Sequence, residues 1–243
     1  MVSFKMKNNM RNRLILVALF FLCGSQQKSF AQEFKDTTGF REAYRKMQID
    51  PNVKPYSYDV TVVGNIGQTP DTMKATISFG PERMKMKMGE MEVILNPQYR
   101  IMINNTFQQM IVSRNYERTV LAQMSMPSIE AIIPFIDTWS LAIDKGVKKL
   151  TFNCQPGTGF KSFVVTSDIK TGYMLQVFAV GADVIDEGIS TPPTATSYFS
   201  NYRIIKADFE EFKSETYLVL DGPDLKPAGK YKDYSLTFDK PNQ

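Results

Sequence analysis

Between Arg83 and Asn96 the chain reads RMKMKMGEMEVILN, a run that permits little besides a β-hairpin. Met84, Met86 and Met88 recur every second residue, which puts them on one face of a strand and scatters them around a helix. Gly89-Glu90 interrupts the alternation, and glycine at the first central position of a two-residue loop suits a type II′ turn. Folded there, Met88 faces Met91, Met86 faces Val93 and Met84 faces Leu95. The same register sets Lys87 opposite Glu92, a favourable cross-strand charge pair. One register therefore satisfies both the apolar and the charge pattern, which is the strongest local argument for the hairpin. The lysines are expected on the solvated face. The methionines, with Val93 and Leu95, form a single apolar surface. Methionine is flexible and polarizable, favoured where a surface must accept irregular apolar ligands, but it also fills ordinary cores. Packed side chains or a space for a ligand are both open for that surface.

Period-two patterning extends well beyond this hairpin. Tyr56, Tyr58, Val60 and Val62 share a face, as do Met73, Ala75, Ile77 and Phe79. YRIMIN and FQQMIVS follow, so Tyr56–Ser113 is predicted to be an antiparallel meander of about six strands. Before it, Phe40, Ala43, Tyr44 and Met47 lie at the spacing of one helix face. After it, Ile129, Ile132, Ile133, Ile136, Trp139 and Ile143 read as a helical stripe divided by Pro134, with Gly146 as its stop. Strand patterns resume in KKLTFNC, FKSFVVTSD, GYMLQVFAVG, TSYFSNYRIIKA, TYLVLDG and YKDYSLTFD. No repeat or low-complexity linker divides the chain.

The N-terminus carries a different signal. Lys5, Lys7, Arg11 and Arg13 precede the apolar run Leu14–Gly24, and Ser29-Phe30-Ala31 places small residues as a cleavage site requires. That order predicts a cleaved secretory signal peptide over residues 1–31, because the run is shorter than the about 20 residues of a membrane span. Residues 32–243 are then a single domain. Of the 29 basic residues, Lys5, Lys7, Arg11, Arg13 and Lys28 belong to the leader, and none of the 25 acidic residues does. The mature chain is close to neutral, which gives no case for nucleic-acid binding. It keeps one cysteine, Cys154, and so forms no internal disulfide. Export without disulfides points to a periplasm.

The chain has no histidine. That removes Ser-His-Asp and Cys-His nucleophile systems and imidazole zinc sites. Gly157 and Gly159 beside Lys161 lack the helix a phosphate loop needs and read as a hairpin turn. Asp183, Asp186 and Glu187, and Asp208, Glu210 and Glu211, are the acidic clusters, and neither follows an EF-hand spacing. The expectation is a non-enzymatic protein with no cofactor and no metal.

The order of N-terminal helix, meander, helical insertion and further strands, behind a signal peptide, resembles the periplasmic lipoprotein-carrier superfamily of LolA, LolB and LppX. ATISFGPERMKMKMGEMEVILNPQYRIMINNTFQQMIVS is similar to that family's run of hairpins, and FVVTSDIKTGYMLQVFAVG to its later strand-turn-strand pattern. The resemblance implies an α+β fold: a curved antiparallel sheet, an incomplete β-barrel, with helices covering the concave face. It further implies a periplasmic carrier for lipid or lipoprotein acyl chains, acting in outer-membrane biogenesis as a monomer, with envelope membrane proteins as further partners. The expected apolar lining is Met84, Met86, Met88, Met91, Val93, Leu95, Ile132, Ile136 and Trp139. The alternative is an envelope structural or interaction module with a solid core.

Overall fold

Thr37–Arg45 forms helix α1, and its apolar spacing has the consequence expected of it: Phe40, Ala43, Tyr44 and Met47 are buried. The computed structural model describes residues 37–47, 54–66, 69–114, 129–182, 192–206, 208–222 and 224–239. The predicted leader, residues 1–31, and Asp183, Asp186 and Glu187 lie outside them.

Six strands follow α1 as the alternation requires: β1 (Tyr56–Ile66), β2 (Thr69–Gly80), β3 (Arg83–Met88), β4 (Met91–Leu95), β5 (Tyr99–Asn104) and β6 (Gln109–Arg114). Later strands are β7 (Ile136–Asp144), β8 (Val147–Cys154), β9 (Phe160–Asp168), β10 (Met174–Gly181), β11 (Thr194–Ile204), β12 (Leu218–Asp221), β13 (Asp224–Pro227) and β14 (Ser235–Asp239). Twelve of them hydrogen-bond in the order β14-β6-β5-β4-β3-β2-β1-β11-β10-β9-β8-β7, an open order whose ends are β14 and β7. The β12–β13 hairpin stands apart as a two-stranded sheet. β14 joins β6 in parallel, with Leu236 beside Met110 and Phe238 beside Val112.

The chain forms two compact units: residues 1–48, 62–72 and 122–198, and residues 49–61, 73–121 and 199–243. In the first unit α1 packs on β7 and β8. The Phe40 ring meets Trp139 at 5.7 Å and Phe152 at 6.1 Å, both edge-on. Arg41 Nη1 reaches Glu130 Oε1 at 2.8 Å, tying α1 to the one-turn helix α2 (Ile129–Ile132).

This unit corrects the predicted helical stripe. Only Ile129–Ile132 is α-helical, a 3-10 turn covers Ile133–Phe135, and Ile136–Asp144 is strand β7. Pro134 has no N–H and cannot continue an α-helix. Beyond it Trp139, Leu141 and Ile143 also satisfy a period of two, and the partner strand decides between the two readings. Trp139 pairs with Phe152 and Leu141 with Leu150. Gly146 is no helix stop. Lys145 and Gly146 have φ of 47° and 83°, the paired left-handed residues of a type I′ turn. Ile136 is buried, while Ile132 and Trp139 are half-buried.

Candidate functional site

The second unit contains the hairpin, and its register is the predicted one. Met84 pairs with Leu95, Met86 with Val93, Lys87 with Glu92 and Met88 with Met91. Gly89 has a φ of 54°, the left-handed first position of the II′ turn. β5 extends the methionine face with Met102 beside Val93, and β6 extends it with Ile111 beside Met102.

The two faces of this sheet are sealed in the opposite sense to the expectation. The lysine-bearing face is the one that builds the core. Ile94, Ile101, Ile103, Met110 and Val112 stand on it and are 0% exposed, packed with Tyr217, Leu218, Leu225 and Tyr231. These covering residues come from the C-terminal segment, which runs as 3-10 turns at Glu210–Phe212, Ser214–Thr216 and Gly229–Tyr231 around the β12–β13 hairpin. Asn96 helps to fasten that segment. Its Nδ2 donates to the Phe212 carbonyl at 3.2 Å, and its Oδ1 accepts from the Gln98 and Tyr99 amides.

Lys85 and Glu92 are therefore buried, at 8% and 2% exposure, and Lys87 alone of the two lysines stays in solvent. The ion pair is not the predicted Lys87–Glu92. Glu92 Oε2 lies 3.3 Å from Lys85 Nζ, which also reaches Glu211 Oε2 at 2.8 Å. Glu92 Oε1 accepts from Tyr231 Oη at 3.1 Å and Asn105 Nδ2 at 3.2 Å. A buried carboxylate persists only with such partners. Burial works to raise the Glu92 carboxyl, but the Asn105 hydrogen bond and the Lys85 and Lys230 ammonium groups outweigh it and hold it below the usual carboxylate value. Burial, reinforced by the Glu92 charge, pushes the Tyr231 phenol up.

The methionine face is graded. Phe79, Met84 and Leu95 are sealed at one end, where the Phe79 ring meets Tyr56 at 5.5 Å and Tyr58 at 6.2 Å. Toward the Gly89-Glu90 turn, Met86, Met88, Met91, Val93 and Met102 are only half-buried, and Ile111 is 39% exposed. Of the predicted lining, Met84, Met86, Met88, Met91, Val93 and Leu95 thus share one continuous face, with Met102 and Ile111 as members the sequence reading left out. Their signal was the strand register carried one hairpin further. Ile132, Ile136 and Trp139 belong to the other unit, where Trp139 contacts Phe40.

Remaining candidates for chemistry are few. Among the described residues no three His, Cys, Asp or Glu side chains are grouped to hold a metal ion. Glu210 pairs with Lys213 at 2.6 Å, and Glu211 with Lys85. Burial pushes the half-buried Cys154 thiol up to about 11, against a hydrogen bond with Thr158. No helix among the described residues is long and apolar enough to cross a membrane.

No protein-family model and no curated protein matches this sequence. Solved structures similar to it include an uncharacterized conserved protein from Thermus thermophilus, at 12% identity over 83% of this chain and 100% of that one, with a TM-score of 0.48. They also include a LolA superfamily protein from Nitrosomonas europaea, at 7% identity over 72% of this chain and 96% of that one, TM-score 0.35. A third is an outer membrane lipoprotein-sorting protein domain from Vibrio parahaemolyticus, at 10% identity over 72% and 94%, TM-score 0.34. The superfamily that the sequence resembles is among them.

Proposed function

We propose that the protein is a periplasmic, non-enzymatic carrier whose methionine face holds lipid or lipoprotein acyl chains. The observation that supports this reading is the contrast between the two faces of β3–β6. One carries five apolar side chains at 0% exposure, while the other keeps a row of apolar side chains only half-buried. A row of six such side chains is expensive to leave in water, and a hydrocarbon chain laid along it gains roughly 0.8 kcal/mol per buried CH₂. Methionine side chains adjust to chains of different length and unsaturation. In this proposal the mature chain, residues 32–243, acts as a monomer. Its sheet is an incomplete barrel with helices over the concave side, and envelope membrane proteins donate and accept the cargo. No covalent step is needed.

A second reading, a solid-cored envelope module, draws support from Met84 and Leu95, which are fully buried at one end of the same face. Titration with a fluorescent fatty acid or a purified lipoprotein separates the two. Saturable binding that Met88→Asp weakens supports the carrier, and absence of saturable binding removes it.

A further inference from the structure

Met86, Met88, Met91 and Met102 are four thioethers on one sheet face with Met91 at their centre. Met88 is its direct cross-strand partner across the turn. Met86 is diagonal to it on β3 and Met102 diagonal to it on β5, as the pairs Met86–Val93 and Val93–Met102 require. Directly opposed side chains begin about 5 Å apart and diagonal ones about 7–8 Å, spans that long flexible side chains close. Each of the four is half-buried, neither sealed in the core nor fully in solvent.

The chemistry of this donor set is narrow. Thioether sulfur is neutral, soft and aprotic, so it neither titrates nor competes for protons. Soft sulfur ligands select Cu(I) and similar d¹⁰ monovalent ions, while hard cations demand oxygen. The charge on β3 supports the same choice. Lys85 and Lys87 point to the opposite face, and Lys85 is neutralised there by Glu92 and Glu211. A monovalent cation on the sulfur face meets no lysine of its own strand; the cation sharing that face is Arg100 on β5, two residues from Met102, whose Nη2 donates to Ser113 Oγ at 3.2 Å. We infer that Met86, Met88, Met91 and Met102 form a site for a soft monovalent cation, Cu(I) or Ag(I). The inference rests on sulfur, not on hydrophobicity, and stands apart from the acyl-chain proposal.

The structure supplies internal controls. Met84, on the same face, and Met110, on the opposite one, are 0% exposed and closed to an ion. Cys154 carries the competing soft donor, in the other unit. The test is competition for Cu(I), kept reduced with ascorbate, between the purified protein and the chromophoric chelator bicinchoninate. Wild type, Met110→Leu and Cys154→Ser should withhold one equivalent of Cu(I). Met86→Leu/Met88→Leu/Met91→Leu should bind at least about 10-fold more weakly, the lower end of what perturbing even an outer partner of a metal site costs. Loss of binding in Cys154→Ser, equal binding in the triple variant, or no withdrawal by wild type overturns the inference. Should the triple variant fold poorly, wild type labelled with ¹³C-methyl methionine and titrated with Ag(I) decides. Shifts at Met86, Met88, Met91 and Met102 with Met84 and Met110 unmoved support the site. Uniform or absent shifts overturn it. A fatty-acid titration of wild type reports on the carrier proposal separately.

Discussion

The Tyr231 hydroxyl donates to Glu92 Oε1 at 3.1 Å, joining a C-terminal 3-10 turn to the start of β4. Through this contact and the Lys85 bridge to Glu211, a segment with few repeating features is held on one face of the sheet. Glu92→Ala leaves Lys85 with Glu211 alone and strips Tyr231 of its acceptor. Removing one member of a buried ion network costs on the order of 3 kcal/mol. A urea titration should show that loss as a lower midpoint with an unchanged slope.

The same carboxylate sets an acid limit. Its folded value lies below the ordinary glutamate value of 4.5, so the unfolded chain binds the proton more readily. Its contribution to stability is therefore complete above pH 4.5 and is lost as pH falls through the lower folded value. Unfolding midpoints of wild type should fall across that window, and those of Glu92→Gln should fall less steeply. Parallel curves would dissociate Glu92 from the acid sensitivity.

Gly80 ends β2 against the Phe212 ring. A Cβ there would lie 2.8 Å from Phe212 Cε2, closer than packed atoms allow. Gly80→Ala should destabilise by about 1–3 kcal/mol through overpacking. Phe212→Leu in the same chain should recover part of that loss, because it opens the contact. A double-mutant cycle measures the coupling.

Phe40 anchors α1 through Trp139 and Phe152. A helix of 9 residues is marginal by itself and depends on that docking. Phe40→Ala should cost about 3–5 kcal/mol. Trp139 fluorescence should shift to the red as its edge contact is lost.

The Cys154 thiol, raised to about 11, is almost wholly protonated at neutral pH. Since the thiolate is the reactive form, alkylation by iodoacetamide at pH 8 should be far slower than for a free thiol and should accelerate up to about pH 11. Rapid labelling at pH 8 would show an accessible thiolate instead.

What was legible in the sequence was register; what was not was direction. The Met84–Leu95 and Lys87–Glu92 pairings follow from alternation and a Gly-Glu turn, since a slip of one residue would misplace every apolar group. Which face turns inward does not follow. Ile94, Ile101, Ile103, Met110 and Val112 alternate as well as the methionines do. Of the covering segment the sequence shows the strand in TYLVLDG and tyrosines at irregular spacing, because its 3-10 turns leave no periodic trace. Lys85 is the residue that misleads most: a lysine in alternation reads as solvated, and Glu92 together with distant Glu211 makes its burial tolerable. The Ile129–Ile143 stripe fails for a different reason. Trp139 and Ile143 fit both periods, and Pro134 with the Lys145-Gly146 turn carried the decisive information. Six of the candidate residues, Met84 to Leu95, share one face because they lie on one hairpin; Met102 and Ile111 join that face through pairing across two more strands.

The most direct test of the carrier account is a titration of a fluorescent fatty acid into wild type and Met88→Asp, with circular dichroism confirming the fold of both. The account predicts saturable binding by wild type and, in Met88→Asp, binding weakened by at least about 10-fold, as a charge set beside a buried hydrocarbon chain requires. Absence of saturable binding by wild type, or equal binding by a folded Met88→Asp, would contradict it.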